Sequence, residues 1–371
     1  VRLTAQLKLD PTATQASALA RTLAACNAAC NAISAVAWDS KTFRQFDLHK
    51  LCYRRVREQF GLSAQAAVRC ISKVANAYKL DQKAKRTFRA TGSAAFDQRI
   101  LSYNLAASTV SIWSLDGRLS IPFVCGDRQR VLLATRQGET DLGLVRGKWF
   151  LMATCQVPEP DVAVAGGFLG VDLGVAEIAS TCDGHRYSGR EVKGMRHRQR
   201  RLRARLQKKQ TRAAKRRLRK LAGKEFRFAK HVNHVISKQI VATAKRTGRG
   251  IALEELKGIR ERTRARRKQR AVLHSWAFAQ LGAFLVYKAK LAGVPLVAVD
   301  PMNSSRECAQ CGHTDKKNRP NQSTFRCLAC GHAEHADINA ARVIAGRAAG
   351  KPAVLSELCE VSHGSVKSRR L

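Results

Sequence analysis

Two Cys-x-x-Cys pairs, Cys308/Cys311 and Cys327/Cys330, and three well-separated acids, Asp172, Glu254 and Asp337, are the residues whose types and spacing could do chemistry. Fifteen residues separate the cysteine pairs. At that spacing four thiolates take one Zn2+ in a closed tetrahedron, with bonds of about 2.3 Å and no position left for a substrate. The expected product is a zinc ribbon, structural rather than catalytic. Gly312 and Gly331 each follow a pair, as a tightly turning knuckle requires. His313, His332 and His335 lie close by in the sequence. With four cysteines at hand they read as structural or nucleic-acid contacts, not ligands.

Each acid sits where a regular element ends or starts. Asp172 closes an apolar strand in Gly170-Val171-Asp172-Leu173-Gly174, and Glu254 closes another in Ile251-Ala252-Leu253-Glu254-Glu255-Leu256. Asp337 opens a helix in His335-Ala336-Asp337-Ile338-Asn339-Ala340-Ala341. Acids so placed can converge at one edge of a sheet, where they repel unless cations neutralise them. Two Mg2+ ions about 3.5–4 Å apart would do so, activating water and stabilising the leaving oxygen of a phosphodiester. Any one of these acids could instead cap a turn or pair with an arginine. Their order, with the ribbon between the second and third, favours a joint site. Glu255 adjoins Glu254 and points the other way on a strand. Asp300 also ends a strand but precedes Pro301, and reads as a turn residue.

The rest of the composition asks for a polyanion. Lys and Arg number 68 against 27 Asp and Glu, a formal charge of +41. Such a surface is matched by nucleic acid, whose counterions it would release. Between Lys193 and Lys230 stand eighteen Lys/Arg and one acid, Glu225, with Leu202, Leu206, Leu218 and Leu221 at helical spacing. One narrow side can pack while the rest stays cationic, and Arg198, Arg201, Arg205, Lys209 and Arg216 are the expected nucleic-acid contacts. A second run, 260–270, adds Arg264 and Arg267. Aromatics make up 6% of the chain, so base stacking can act only locally and backbone contacts should dominate. No apolar run approaches the ~20 residues of a spanning helix, and the first residues lack a signal-peptide core. The expectation is a cytoplasmic protein (prokaryotic cytoplasm or nucleoid) with no membrane partner. The other eight cysteines are scattered among apolar neighbours and read as reduced, buried thiols.

The positioning elements follow from periodicity. Residues 1–9 alternate like a strand. Asp10-Pro11 signals a helix start, and Leu19, Leu23, Cys26, Cys30, Ile33 and Ala37 recur at alternating four and three, one stripe of a helix. More helix follows to about residue 90. From about Leu101 the period becomes two. Val110 to Phe123 reads as a hairpin turned at Asp116-Gly117, and Val131–Ala134, Asp141–Val145 and Trp149–Val157 as further strands. These make a small β-barrel or sandwich that takes strand 1–9, with the helical block inserted. A linker with Pro158, Pro160, Gly166 and Gly167 precedes strands at 168–172, 176–182 and 185–187. Then come the basic helices, strand 250–253, helix 271–291, strand 294–299, the ribbon and a helix from about His335 to Ala348.

The motifs around the three acids, with Ser304-Ser305-Arg306-Glu307-Cys308-Ala309-Gln310-Cys311-Gly312 and Phe325-Arg326-Cys327-Leu328-Ala329-Cys330-Gly331, resemble the TnpB family. Its members are transposon-encoded RNA-guided nucleases related to type V CRISPR effectors. The resemblance is strong over roughly 167–348 and one of layout only before that. It implies an α/β multidomain protein. A β-barrel (wedge) domain, with its first strand at 1–10 and the remainder at 96–160, would carry a helical (recognition) insertion at 11–95. An RNase H-like RuvC nuclease domain would run over 161–306 and resume at 332–349, interrupted by the four-cysteine zinc ribbon at 307–331, with a loose tail at 350–371. It also implies Asp172, Glu254 and Asp337 as ligands of two Mg2+, one structural Zn2+, a guide RNA, a double-stranded DNA target and a monomer rather than a dimer. Val343 departs from the family, which often has Asn there, and leaves the acids untouched. A miniature type V CRISPR effector shares this chemistry. A guided DNA-binding regulator would not cut, and a DDE-type transposase would use similar acids to join ends.

Overall fold

A computed structural model of the chain describes residues 1–174, 176–255 and 278–349. Two compact units divide at Val157/Pro158, and each is described by itself.

In the first unit, β1 (Arg2–Leu9) leads into three helices, α1 (Ala13–Asp39), α2 (Gln45–Phe60) and α3 (Ala64–Leu80). Strands β2 (Ala94–Phe96), β3 (Leu101–Asn104), β4 (Thr109–Ser114) and β5 (Gly117–Val124) follow, then helix α4 (Asp127–Ala134), β6 (Arg136–Val145) and β7 (Lys148–Gln156). The seven strands form one sheet in the order β2-β6-β7-β1-β5-β4-β3. Its edge strands, β2 and β3, are joined by one short turn, and Tyr103 of β3 donates to Thr140 of β6 at 3.3 Å, so the sheet is nearly closed. β1 lies between β7 and β5, and α1–α3 are inserted after it. All six stripe residues of α1 are buried.

Three local expectations shift. The helix after β1 starts two residues late: Thr12 is its cap, accepting from Gln15 N while Gln15 bonds back to Thr12 N. This reciprocal box outcompetes Asp10-Pro11. Ser114 already pairs with Gly117, so the hairpin turns on Leu115-Asp116. Val131–Ala134 is helical, the second half of α4, not a strand. Gln129 reaches back to Gly126 N at 3.0 Å and Asp127 lies in the first turn. Four apolar residues alone could not distinguish the two states.

The second unit is built on a mixed sheet, β8 (Phe168–Asp172), β9 (Glu177–Thr181), β10 (Arg186–Ser188), β11 (Gly250–Glu254) and β12 (Leu296–Val299). The order is β10-β9-β8-β11-β12. β8, β11 and β12 are parallel, while β9 is antiparallel to both of its neighbours. Helices α5 (Arg190–Lys209), α6 (Arg212–Leu221) and α7 (Lys224–Arg246) fill the crossover from β10 to β11, and α8 (Phe278–Ala292) precedes β12. After β12 come the cysteine segment, a two-stranded ribbon of β13 (Thr324–Arg326) and β14 (Ala333–His335), and α9 (Ala336–Ala348). Odd-numbered residues of the central strands (Leu169, Val171, Ile251, Leu253) pack in one core with Ile240 of α7 and Leu285 of α8. Even-numbered Ala252 and Phe168 pack with Ile344 and Ala348 of α9. The sheet is therefore sandwiched, and strand parity decides which side chains meet α9.

Candidate active site

That parity places the acids. Asp172 and Glu254 share the even-numbered face that α9 covers. Leu253 is in register with Val171, so the next residues, Glu254 and Asp172, end neighbouring strands side by side. Glu255 has the other parity, and its N–H bonds to Val299 O.

Gly170 lets α9 settle on this face. A Cβ there would lie 2.0 Å from Ala341 O, so only glycine permits the approach. From Gly170 to Asp172 the strand advances about 6.6 Å, and from Ala341 back to Asp337 the helix advances about 6 Å. With strand and helix antiparallel, the two acids stand at one level. His335 caps α9, its Nδ1 accepting from Asp337 N at 3.3 Å. Asp337 itself is buried.

Electrostatics registers the convergence. Burial pushes the Asp172 carboxyl up to about 8, and the charges of Glu254 and Asp337 push the same way, against Arg319 and the Leu173 N–H. Glu254 is raised by burial, opposed by a hydrogen bond from Ser304 and by Arg347. Arg319 donates to Asp337 Oδ1 at 3.0 Å. Asp300 is a turn residue, accepting from Met302 N at 2.9 Å. Among the described residues, only the four cysteines form a group of three or more His, Cys, Asp or Glu whose donor atoms all lie within 4.8 Å of one another. The acids are coupled through space without being drawn that close.

The sulfurs approach across the two pairs, Cys308 to Cys330 at 3.6 Å and Cys311 to Cys327 at 3.5 Å. All four are free thiols, and their sulfurs lie close enough together to hold one metal ion. Backbone N–H groups of Cys330 and Ala329 hold the Cys327 thiol down at about 6. Asn318, fully buried, donates to Arg306 O and His313 O and accepts from Leu328 N, at 3.0, 3.1 and 3.0 Å, joining the two knuckles. Asn339 of α9 donates to Glu307 O at 2.7 Å and accepts from Ala309 N at 3.0 Å. The cysteine segment is thus fastened to the helix that carries Asp337.

Arg198, Arg201, Arg205 and Lys209 on α5 and Arg216 on α6 are all exposed. Glu225 is turned inward, bound at 2.8 Å by both Arg196 and Arg203, so the acid of this stretch braces α7 against α5. Arg264, Arg267, the run 260–270 and the tail 350–371 lie outside the described residues. Ser304, Arg319 and Asn339 also touch the site. Ser304 and Asn339 stand within motifs that resemble the TnpB family, but nothing in their spacing gives them a role, and only the folded ribbon brings them in.

Two family models match, almost wholly within the second unit. OrfB_IS605, described as "Probable transposase", covers residues 153–260, and the Cas12f1-like TNB domain covers 278–344. The chain is 32% identical over 218 residues to the CRISPR-associated endodeoxyribonuclease Cas12f1 of Sulfoacidibacillus thermotolerans, covering 54% of this chain and 50% of that protein. It is 34% identical over 113 residues to the TnpB-like protein MJ0751 of Methanocaldococcus jannaschii, covering 30% of this chain and 40% of that one. The chain spans about half the length of the curated relatives it matches. A Cas12f1–sgRNA–target DNA complex solved by cryo-electron microscopy has a protein of like fold, with TM-score 0.59 and 17% identity, covering 88% of this chain and 82% of that one. The chain is therefore similar to the TnpB and Cas12f proteins, as its motifs imply. No helix among the described residues is long and apolar enough to cross a membrane.

Proposed function

We propose that the chain is an RNA-guided DNA endonuclease of the transposon-associated kind. The observation that carries the reading is the convergence of Asp172, Glu254 and Asp337 on one face of the central sheet, with the Asp172 carboxyl pushed up to about 8. A partly buried carboxylate cluster of this kind suits a divalent cation site. The strand order, with β9 antiparallel beside the parallel β8-β11-β12, supports an RNase H-like RuvC assignment, and the nearly closed sheet with its helical insert supports a wedge and recognition assignment for the first unit.

Asp172, Glu254 and Asp337 would hold two Mg2+, which supply an activated water and a counter-charge for the leaving oxygen. The chain's own residues do the rest. The sheet and α9 fix the carboxylates, Arg319 balances Asp337, and the exposed cations of α5 and α6 hold the nucleic-acid backbone. Cys308, Cys311, Cys327 and Cys330 would hold the Zn2+. A tetrahedron with bonds of about 2.3 Å has edges of about 3.8 Å, close to the 3.5 and 3.6 Å between sulfurs. A guide RNA pairing with one strand of a DNA duplex supplies sequence choice, and the protein acts as a monomer in the cytoplasm.

The test is cleavage of a matched target library by protein carrying its co-purified RNA, with Mg2+. Cutting that Asp172→Ala abolishes while target binding persists is the expected result. Binding without cutting by the native chain would make it a regulator instead. The similarity to Cas12f1 favours a second reading, a miniature type V CRISPR effector. The sequence of the bound RNA, transposon end or repeat array, separates the two.

A further inference from the structure

The acid on β11 is held by a side chain from outside the sheet. Ser304, 4% exposed, places its Oγ against Glu254 Oε1. Its hydroxyl has one proton and two acceptors in reach, the second being Pro301 O at 3.1 Å. When Glu254 is ionised the charge-assisted bond takes the proton. That bond occupies one carboxylate oxygen and leaves Oε2 for another partner.

Ser304 is fixed from the ribbon side. It lies on the turn after β12, where Asn303 adopts a left-handed backbone (φ 59°) and its carbonyl accepts from Arg306 N and Glu307 N at 2.8 and 3.0 Å. Glu307 is tied to α9 twice, its carboxylate by Arg347 and its carbonyl by Asn339 at 2.7 Å. Ser304 thus joins the acid on β11 to a segment pinned on the helix that bears Asp337. Strand register brings Glu254 beside Asp172, and Ala252 seats β11 against α9. The Ser304 bond then holds the Glu254 carboxylate itself.

We propose that Ser304 is a positioning residue for Glu254, setting the orientation in which this carboxylate meets a divalent cation shared with Asp172 and Asp337. The inference rests on the metal-site reading of those three acids. The hydroxyl acts through Glu254 and touches no substrate. Side chains that orient a metal ligand in this way change metal affinity by roughly 10–100-fold when removed.

The experiment measures Mn2+ binding, by electron paramagnetic resonance, to the RNA-free full-length chain loaded with zinc. Wild type, Asp172→Ala, Ser304→Ala and the isosteric pair Ser304→Thr and Ser304→Val are compared, with zinc content confirming the fold. The expected result is an Mn2+ Kd weakened about tenfold in Ser304→Ala and Ser304→Val and within about twofold of wild type in Ser304→Thr, which keeps the hydroxyl. In cleavage, Ser304→Ala should then need more Mg2+ but approach the wild-type rate at saturation. A wild-type chain that binds no Mn2+, or an Asp172→Ala chain that binds it as well as wild type, would overturn the metal site and this inference with it. Loss in Asp172→Ala with full binding in Ser304→Ala and Ser304→Val would overturn the role of Ser304 alone. Equal loss in the Thr and Val variants would do the same, because shape and not the hydroxyl would then matter.

Discussion

Gly170→Ala is the smallest change that tests how the site is assembled. The added methyl would lie 2.0 Å from Ala341 O, 2.7 Å from Ala345 N and 2.9 Å from Ala345 Cβ. Ordinary contact begins at 3.4 Å, so the worst approach is short by about 1.4 Å. The obstructing atoms are helix backbone and a Cβ, so no rotamer change relieves them and α9 as a whole must lift. Overpacking typically costs about 1–3 kcal/mol, and more where backbone has to shift. Taking about 3 kcal/mol, a unit of this size should melt roughly 6–12 °C lower. The helix carries Asp337 one turn beyond the clash, and an ångström-scale misplacement of a reacting group costs on the order of 100-fold in rate. Thermal unfolding of the zinc-loaded protein and single-turnover cleavage of matched DNA read the two effects. Melting within about 2 °C of wild type, with cleavage unchanged, would mean that α9 does not rest on β8 at this residue.

Three further outcomes follow from charge. Folded and metal-free, Asp172 keeps its proton until about 8, whereas the unfolded chain releases it near 3.8. Between those values the folded state binds more protons, so stability should fall as pH rises through that window. Urea unfolding across it, without added divalent cation, should show a slope that Asp172→Asn flattens. On the proposed reading a Mg2+ held by Asp172 would displace that proton, so apparent Mg2+ affinity should rise with pH up to about 8, and a flat profile would contradict the raised carboxyl. On α5, replacing Arg198, Arg201 and Arg205 together by Ala should weaken RNA binding and reduce the slope of log K against log salt by about 2–3. An unchanged slope measured by filter binding would remove this face from the contact surface.

Features written by periodicity were legible in the sequence. The α1 stripe is buried as its spacing required, and the apolar runs before Asp172 and Glu254 are strands whose last residues come side by side. That these acids face α9 follows from counting by two from Gly170 and Ala252. Competition between local signals was less readable. Thr12 and Gln15 moved a helix start by two residues, and four apolar residues at 131–134 joined a helix because Gln129 and Asp127 had already begun one. Least readable were contacts that exist only once distant segments meet. Ser304 reaches Glu254 across fifty residues of chain, and Arg319 reaches Asp337 from the loop between the cysteine pairs. Neither contact can be read from local spacing, because the information lies in where the ribbon lands.

The contact between β8 and α9 also has a consequence in time. β8 is the first strand of its sheet to leave the ribosome, and the helix that covers its even-numbered face comes after every other described element of the unit. A nascent chain that has made the first two acids still lacks the third, however well its sheet has formed. Until α9 arrives, Ala252, Val297 and Val299 lack the Ile344 and Ala348 side chains of their cluster. The acid cluster is therefore completed only when the last described element of the unit has been made, and a chain cut short before Asp337 carries an unfinished site and an uncovered apolar face.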